Sequence, residues 1–337
     1  GTIATQLGNN LSVNGMDADA SGNIYVTGGF VTMNGVTANG VTKWNGTTWS
    51  ALGNGIDPGV SVLPISICVQ GSNVYIGGGF TSVSGIAVNN IAKWNGSSWS
   101  AMGTGSNGLV MCMATNGTDL FAGGSNISNA GGVAVNNIAK WNGSAWSALG
   151  NGLDNIVSSL TWTSTGLYAG GYFNNSGSTA VNRIGIWNGT AWSNAGNGLV
   201  MEGVYALSRS SSLFFAGGIP NNLNSVPLKM HSCAQWNGTS WVVIGNGTNG
   251  FINCIAIDGT NLYVGGAFTE AGGLRVNRIA RWNGSKWDSL GAGFEQGNVN
   301  ALLVAGNKVY AGGTFLVSAA SNINYLAVWN GTSWGPV

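Results

Sequence analysis

Apolar and polar residues alternate in short runs along the whole chain. Around Thr42-Lys43-Trp44 and Trp49-Ser50-Ala51-Leu52 the period is two, the mark of a strand with one covered face. No stretch repeats apolar residues at three and four over two turns, so no helix is predicted. Between the two runs stands Asn45-Gly46-Thr47-Thr48, and Asn-Gly flanked by apolar residues signals a hairpin. A two-residue type I′ turn at Asn45-Gly46 would set Trp44 opposite Thr47, Lys43 opposite Thr48 and Thr42 opposite Trp49. The two indoles would then be diagonal neighbours on one face.

This Trp-Asn-Gly-(Ser/Thr)-x-Trp stretch occurs seven times, at Trp44, Trp94, Trp141, Trp187, Trp236, Trp282 and Trp329, and takes up 14 of the 15 tryptophans. The steps between copies are 50, 47, 46, 49, 46 and 47 residues. Other features keep the same phase. An aromatic recurs at Tyr25, Tyr75, Phe121, Tyr168, Phe215, Tyr263 and Tyr310, and a glycine follows it in every copy. In six copies a second glycine stands just before that one; the first copy has Thr27. The last copy parses as strand one 301–305, a Gly306-Asn307 turn, strand two 308–315, a polar loop to Asn322, strand three 324–329, the Asn330-Gly331 turn and strand four 332–337. A lone hairpin is not stable in water, so seven of them must cover one another. The expected fold is all-β: a seven-bladed β-propeller with four antiparallel strands per blade, in a single domain spanning 1–337. Ile3 to Gly8 resembles the end of strand four, and this N-terminal segment is expected to pair with the last blade and close the ring. The three–four hairpins share one face with the one–two turns. The long, variable two–three and four–one loops, among them 79–88, 172–181, 219–230 and 55–63, share the other.

Composition narrows the function classes. Charged residues are 6% of the 337 and the net charge is +1, so there is no basic field for nucleic acid. No apolar run reaches the ~18 residues of a membrane helix. Ser, Thr, Asn and Gly must cover the surface. Gly1-Thr2-Ile3-Ala4-Thr5 shows no charged head before an apolar core, so no signal peptide is read there and the chain is taken as a mature fragment. Cys68, Cys112, Cys233 and Cys254 all stand at core positions of the repeat and are expected to be buried free thiols, with a disulfide as the alternative.

The pattern Tyr-x-Gly-Gly-x-Phe followed by Asn-Asn-Ile-Ala-Lys-Trp-Asn-Gly-Ser-Ser-Trp-Ser-Ala-Met-Gly (Tyr75 to Phe80, Asn89 to Gly103) resembles the propeller repeats of secreted bacterial surface proteins. It is also similar to propellers of the kelch and galactose-oxidase type and to fungal Rax-like cortical proteins, though it lacks kelch's usual charges. The resemblance covers essentially the whole chain. It implies secretion and a seven-bladed ring, and it brings no catalytic residue. A copper site of the oxidase kind needs more than one histidine, and His231 stands alone.

Non-catalytic display, adhesion or structural interaction at the cell surface or outside the cell is therefore the expected function. A carbohydrate-binding propeller is the alternative and a polysaccharide lyase or hydrolase the third reading. No cofactor is expected. Other surface proteins or glycans are the expected partners, with oligomers or filaments open. Ligand contacts are expected from variable-face loops at Arg183, His231, Arg278 and Tyr325, although His231 occupies the place of Asn39, Asn89, Asn136, Asn182, Asn277 and Asn324, where an amide bonding the local backbone suffices. Asp17 and Asp19 echo a calcium loop, but Gly28 stands where a bidentate Glu belongs. Asp57, Asp154, Glu202 and Glu295 are assigned to four–one loops of different blades, with no converging pair for acid–base hydrolysis. Arg275, Arg278, Arg281 and Lys286 form the densest basic stretch and are expected on a solvated edge. Asn45, Asn95, Asn142, Asn188, Asn237, Asn283 and Asn330 head Asn-x-Ser/Thr sequons at the hairpin tips and would be glycan acceptors in a glycosylating host. Trp162 lies outside the pattern, and core packing is expected for it over ligand contact.

Overall fold

The computed structural model describes residues 11–58, 64–196, 198–199, 201–210, 213–220, 232–316 and 323–337, and among these none is helical. The chain forms seven four-stranded antiparallel sheets, each made from strands consecutive in sequence but for a short ribbon described between strands two and three of five of them. Strand one of each blade lines the axis: Val13–Ala18, Pro64–Gln70, Leu109–Thr115, Val157–Thr163, Met201–Arg209, Phe251–Asp258 and Val299–Ala305. In blade one Ile24–Gly28, Val41–Trp44 and Trp49–Ala51 follow outward. The ring closes by packing: Val13, Val26 and Trp49 of blade one share a core with Tyr310 and Leu326 of blade seven. The expected pairing of residues 3–8 with the last blade lies outside the described residues.

The hairpin register differs from expectation. Trp44 stands directly opposite Trp49, Lys43 opposite Ser50 and Thr42 opposite Ala51. The cause is a four-residue turn in which the asparagine side chain replaces a backbone acceptor. Asn45 Oδ1 accepts from the Thr47 and Thr48 N–H groups at 2.9 and 2.8 Å and from the Thr47 hydroxyl at 2.9 Å. Gly46 takes φ 99°, while Asn45 stays out of the left-handed region that a type I′ turn demands of both residues. The same hydroxyl bond forms at all seven tips, which explains the fixed Ser or Thr after Asn-Gly. Direct pairing sets the indole centroids 5.2–5.7 Å apart in every blade.

The second indole of the pair also clamps one blade to the next. Trp99 Nε1 donates to the Leu52 carbonyl of blade one at 2.7 Å, and Trp146, Trp192, Trp241, Trp287 and Trp334 reach back in the same way to Met102, Leu149, Ala195, Gly245 and Leu290. Trp49, at the closing interface, is buried with its N–H unpartnered among the described residues.

The paired glycines of strand two serve two contacts. A methyl group on Gly77, Gly123, Gly170, Gly217, Gly265 or Gly312 would come within 2.3–2.7 Å of Val110, Val157, Val204, Ile252, Val299 or Val13 on strand one of the next blade. A methyl on the following glycine, as at Gly124 or Gly266, would strike a strand-one carbonyl of its own blade at 1.8–1.9 Å. Blade one exchanges the sizes. Thr27 is fully buried opposite Gly15, and the next blade presents Pro64 where others have Val or Ile. Beside these contacts every strand one carries a bulge, at Asn14, Ile65, Met111, Ser158, Tyr205, Asn253 and Asn300. All seven bulge residues line a central channel of about 420 Å³.

Candidate functional site

Five two–three loops form two-stranded ribbons, at Thr32–Thr37, Ser82–Ala87, Asn129–Ala134, Asn175–Ala180 and Glu270–Arg275. Among the described residues, four of the four–one loops bring a short polar side chain to the ribbon of the next blade. Asp57 accepts from the Gly85 N–H at 2.9 Å. Asn107 caps Ser128 and Asn129, Asp154 caps Asn174 and Asn175, and Asn249 caps Thr269 and Glu270. The placing of Asp57 and Asp154 in these loops thus has a structural cause. Hydrogen bonds from Asn174 and Asn175 outweigh the opposing effect of burial and hold the Asp154 carboxyl below the usual range. Glu202 corrects the sequence assignment, since it lies within strand one of blade five rather than in a loop.

Three of the four expected ligand residues share one backbone slot. Arg183 and Arg278 immediately precede strand three of blades four and six, and Tyr325 is the second residue of strand three of blade seven, at φ 71°, 62° and 67°. Blades one, two and three place Gly40, Asn90 and Asn137 there, at φ 84°, 64° and 57°. Gly and Asn suit the left-handed region, whereas Arg and Tyr are held there by their surroundings. Arg278 Nη1 donates to the Phe294 carbonyl at 2.8 Å, as Asn90 does to Ser106 and Asn137 to Leu153, all reaching 16 residues along the chain. Arg183 bonds the Tyr172 carbonyl and Asn174 Oδ1, and Tyr325 packs into the core joining blades seven and one. The three are not brought together, and His231 lies outside the described residues. The asparagine one place earlier does bond backbone, but across to the four–one loop: Asn39 to Asn54 O, Asn89 to Thr104 O and Asn277 to Ala292 O, at 2.6–2.7 Å.

Asp17 and Asp19 serve different partners. Asp17 is inside the ring wall and accepts from the Val69 N–H of blade two at 2.7 Å; burial pushes its carboxyl up despite that bond. Asp19 holds the one–two turn through Ser21, Asn23 and the Tyr25 hydroxyl; burial opposes these bonds, but together they keep its carboxyl low. Arg281 and Lys286 pair with Asp288 at 2.9 and 3.7 Å, at the opposite end of strand three from Arg275 and Arg278. All four cysteines are free and buried, and burial pushes their thiols up. Six of the seven sequon asparagines are exposed; Asn283 is half-buried and donates to Asp288 at 3.1 Å. No group of three or more His, Cys, Asp and Glu gathers among the described residues.

Two clefts lie between blades on the hairpin face. One of about 720 Å³ opens between blades one and two, lined by Asn23, Tyr25, Lys43, Ser50, Val69, Ser72 and Trp94. Another of about 390 Å³ opens between blades four and five, against Tyr168, Arg209 and Trp236. The variable face carries a cavity of about 330 Å³ lined by Asn89, Asn90, Thr104 and Asn107. The in-phase aromatic forms one wall of each hairpin-face cleft, and across the ladder from it stands Lys43, Lys93, Lys140 or Arg281 in four blades. Sequence reasoning missed these clefts, although the shared phase of aromatic and cation was visible. Trp162 is neither core nor free: it is 38% exposed and lies flat on Phe121 of the neighbouring blade, centroids 5.3 Å apart and planes 8° apart.

No family model matches the chain, and no curated protein does. Solved structures do. The crystal structure of the computationally designed Ika8 protein is similar with TM-score 0.52 at 12% identity, over 98% of this chain and 99% of that one. The structure described as YCF48 bound to D1 peptide is similar with TM-score 0.57 at 13% identity, over 91% of this chain and 90% of that one. At such identities the likeness is one of fold, and it agrees with the strand order observed here: the chain is a seven-bladed β-propeller.

Proposed function

We propose that the chain is a non-catalytic recognition module, presented outside the cell or on its surface, that binds other surface proteins or glycans. The observation that carries this is how its carboxylates are used. Asp17, Asp57, Asp154 and Asp288 each hold a backbone N–H, an amide or a neighbouring cation, so they brace a scaffold. A hydrolase or lyase would need two of them to converge on one bond. Asp57 and Asp154 instead cap ribbons of different blades. Thiols sunk in the core and shifted upward are slow to oxidise, which suits an oxidising exterior. The resemblance of the repeat to secreted bacterial surface propellers points the same way.

A carbohydrate ligand is the second reading, favoured by clefts that combine indole or phenol rings with amides, hydroxyls and cations. The test is to immobilise the protein, expose it to arrays of surface glycans and extracellular proteins, and weigh each captured ligand by mass spectrometry after long incubation. Reversible capture with the ligand's mass unchanged is expected. A ligand that is cleaved or altered would overturn the proposal.

A further inference from the structure

Within this molecule one inter-blade cleft is already filled by the protein itself. Trp162 sits on strand one of blade four, opposite Leu167, and its indole lies flat on Phe121 of blade three. The in-phase aromatic of blade three thus has room for a planar ring against it. At the equivalent position of blade two, opposite Val74, stands Val69. The smaller side chain leaves the cleft over Tyr25 open, and its volume of about 720 Å³ is on the scale of small-ligand sites.

We infer that this cleft between blades one and two binds one saccharide ring; the inference rests on the carbohydrate version of the function proposed above. The walls supply what such a ring needs. Trp94 and Tyr25 offer aromatic surface for its C–H face. Lys43 Nζ lies 5.4 Å from the Tyr25 centroid, over the ring. Lys140, at the same repeat position in blade three, pairs with Asp119 at 3.4 Å; Lys43 has no such carboxylate among the described residues. Its flexible stem can swing to the rim, uncover Tyr25 and donate to a ring hydroxyl or carboxylate. Asn23 is held rigid by its amide nitrogen on Asp19 at 2.7 Å, and its Oδ1 accepts nothing from the described residues. Ser50 and Ser72 add hydroxyls at the edges.

The molecule also suggests the test. Val69→Trp should place an indole over Tyr25 as Trp162 lies over Phe121, at a position where the fold already tolerates one. Lys43→Met should remove the free donor while keeping the stem. Lys93→Met, the equivalent change outside the cleft, is the control, and thermal melts establish that each variant folds. Calorimetric titration with a panel of neutral hexoses and hexuronates should show binding to the unaltered chain. Val69→Trp should abolish it, Lys43→Met should weaken it about tenfold, and Lys93→Met should leave it unchanged. If a saccharide binds and Val69→Trp leaves its affinity intact, the cleft assignment is overturned while the recognition module stands. If no saccharide binds, the inference falls alone, since capture of an intact surface protein would still support the wider function.

Discussion

Six indole N–H groups bind a carbonyl of the preceding blade and the seventh does not, although its ring is equally covered. Trp146 Nε1 donates to Met102 O at 2.8 Å, and Trp49 has no acceptor among the described residues. Replacing Trp146 by Phe removes one of the two hydrogen bonds that Met102 O accepts, the other coming from the Gly105 N–H, and also removes part of a large ring. The same change at Trp49 loses ring volume but relieves an unsatisfied donor. Trp146→Phe should therefore destabilise the protein by about 1 kcal/mol more than Trp49→Phe, measured by denaturant unfolding. Equal losses would show that the bond adds nothing. The pairing of the indoles was visible in their spacing. Their register was not, because Asn-Gly serves a two-residue and a four-residue turn alike. Only the angles at Asn45 and Gly46 decide between them.

Neighbouring strands one are tied by side chains that cross the gap between sheets. Asp17 to Val69 N, Ser159 to Leu207 N and Asn253 to Val299 O are three such ties, each made with different chemistry. The Asp17 tie gives the blade one–two contact a pH dependence. Its folded-state carboxyl titrates above the ordinary 3.8 because burial disfavours the charge. The folded protein thus takes up a proton before the unfolded chain does. The stabilising contribution is full below 3.8 and is lost as pH rises through the folded value. Asp17→Asn should remove this slope: between neutral pH and about 4 the variant's stability should fall relative to the parent's as pH drops. Parallel pH curves for the two would contradict the assignment. This tie could not be foreseen, since it joins residues 52 apart in two copies of a repeat whose sequences differ there. The same distance hid the clefts, whose walls come from strands of adjacent repeats. It also hid the role of Arg278, which appears only once its left-handed backbone and its bond to Phe294 O are seen.

Ring closure needs all seven interfaces to agree in size, and the one between last and first blades keeps the glycine-to-branched-residue contact of five others. Gly312 faces Val13 as Gly123 faces Val157. Gly312→Ala should therefore cost as much as Gly123→Ala, about 1–3 kcal/mol from overpacking, although the first joins chain ends and the second lies mid-chain. A much smaller loss at Gly312, read from thermal unfolding, would mean that the ring is loose at that seam. Seven-fold architecture was legible early because the indole pair, the aromatic and the double glycine keep one phase over most of the chain. Thr27 broke the pattern in sequence, and the structure shows the break compensated by Gly15 and Pro64.

The glycine–valine contacts that hold the blades together lie beside the bulge in each strand one, and two bulge residues, Asn14 and Asn253, add ties of their own to Pro64 O and Val299 O of the next blade. Asn14, Ile65, Met111, Ser158, Tyr205, Asn253 and Asn300 line the bore and already span amide, hydroxyl, thioether, aliphatic and phenolic character. At Ile65, Met111, Ser158 and Asn300 the bore of the ring can thus be re-lined, by mutation or by descent, with its walls left standing.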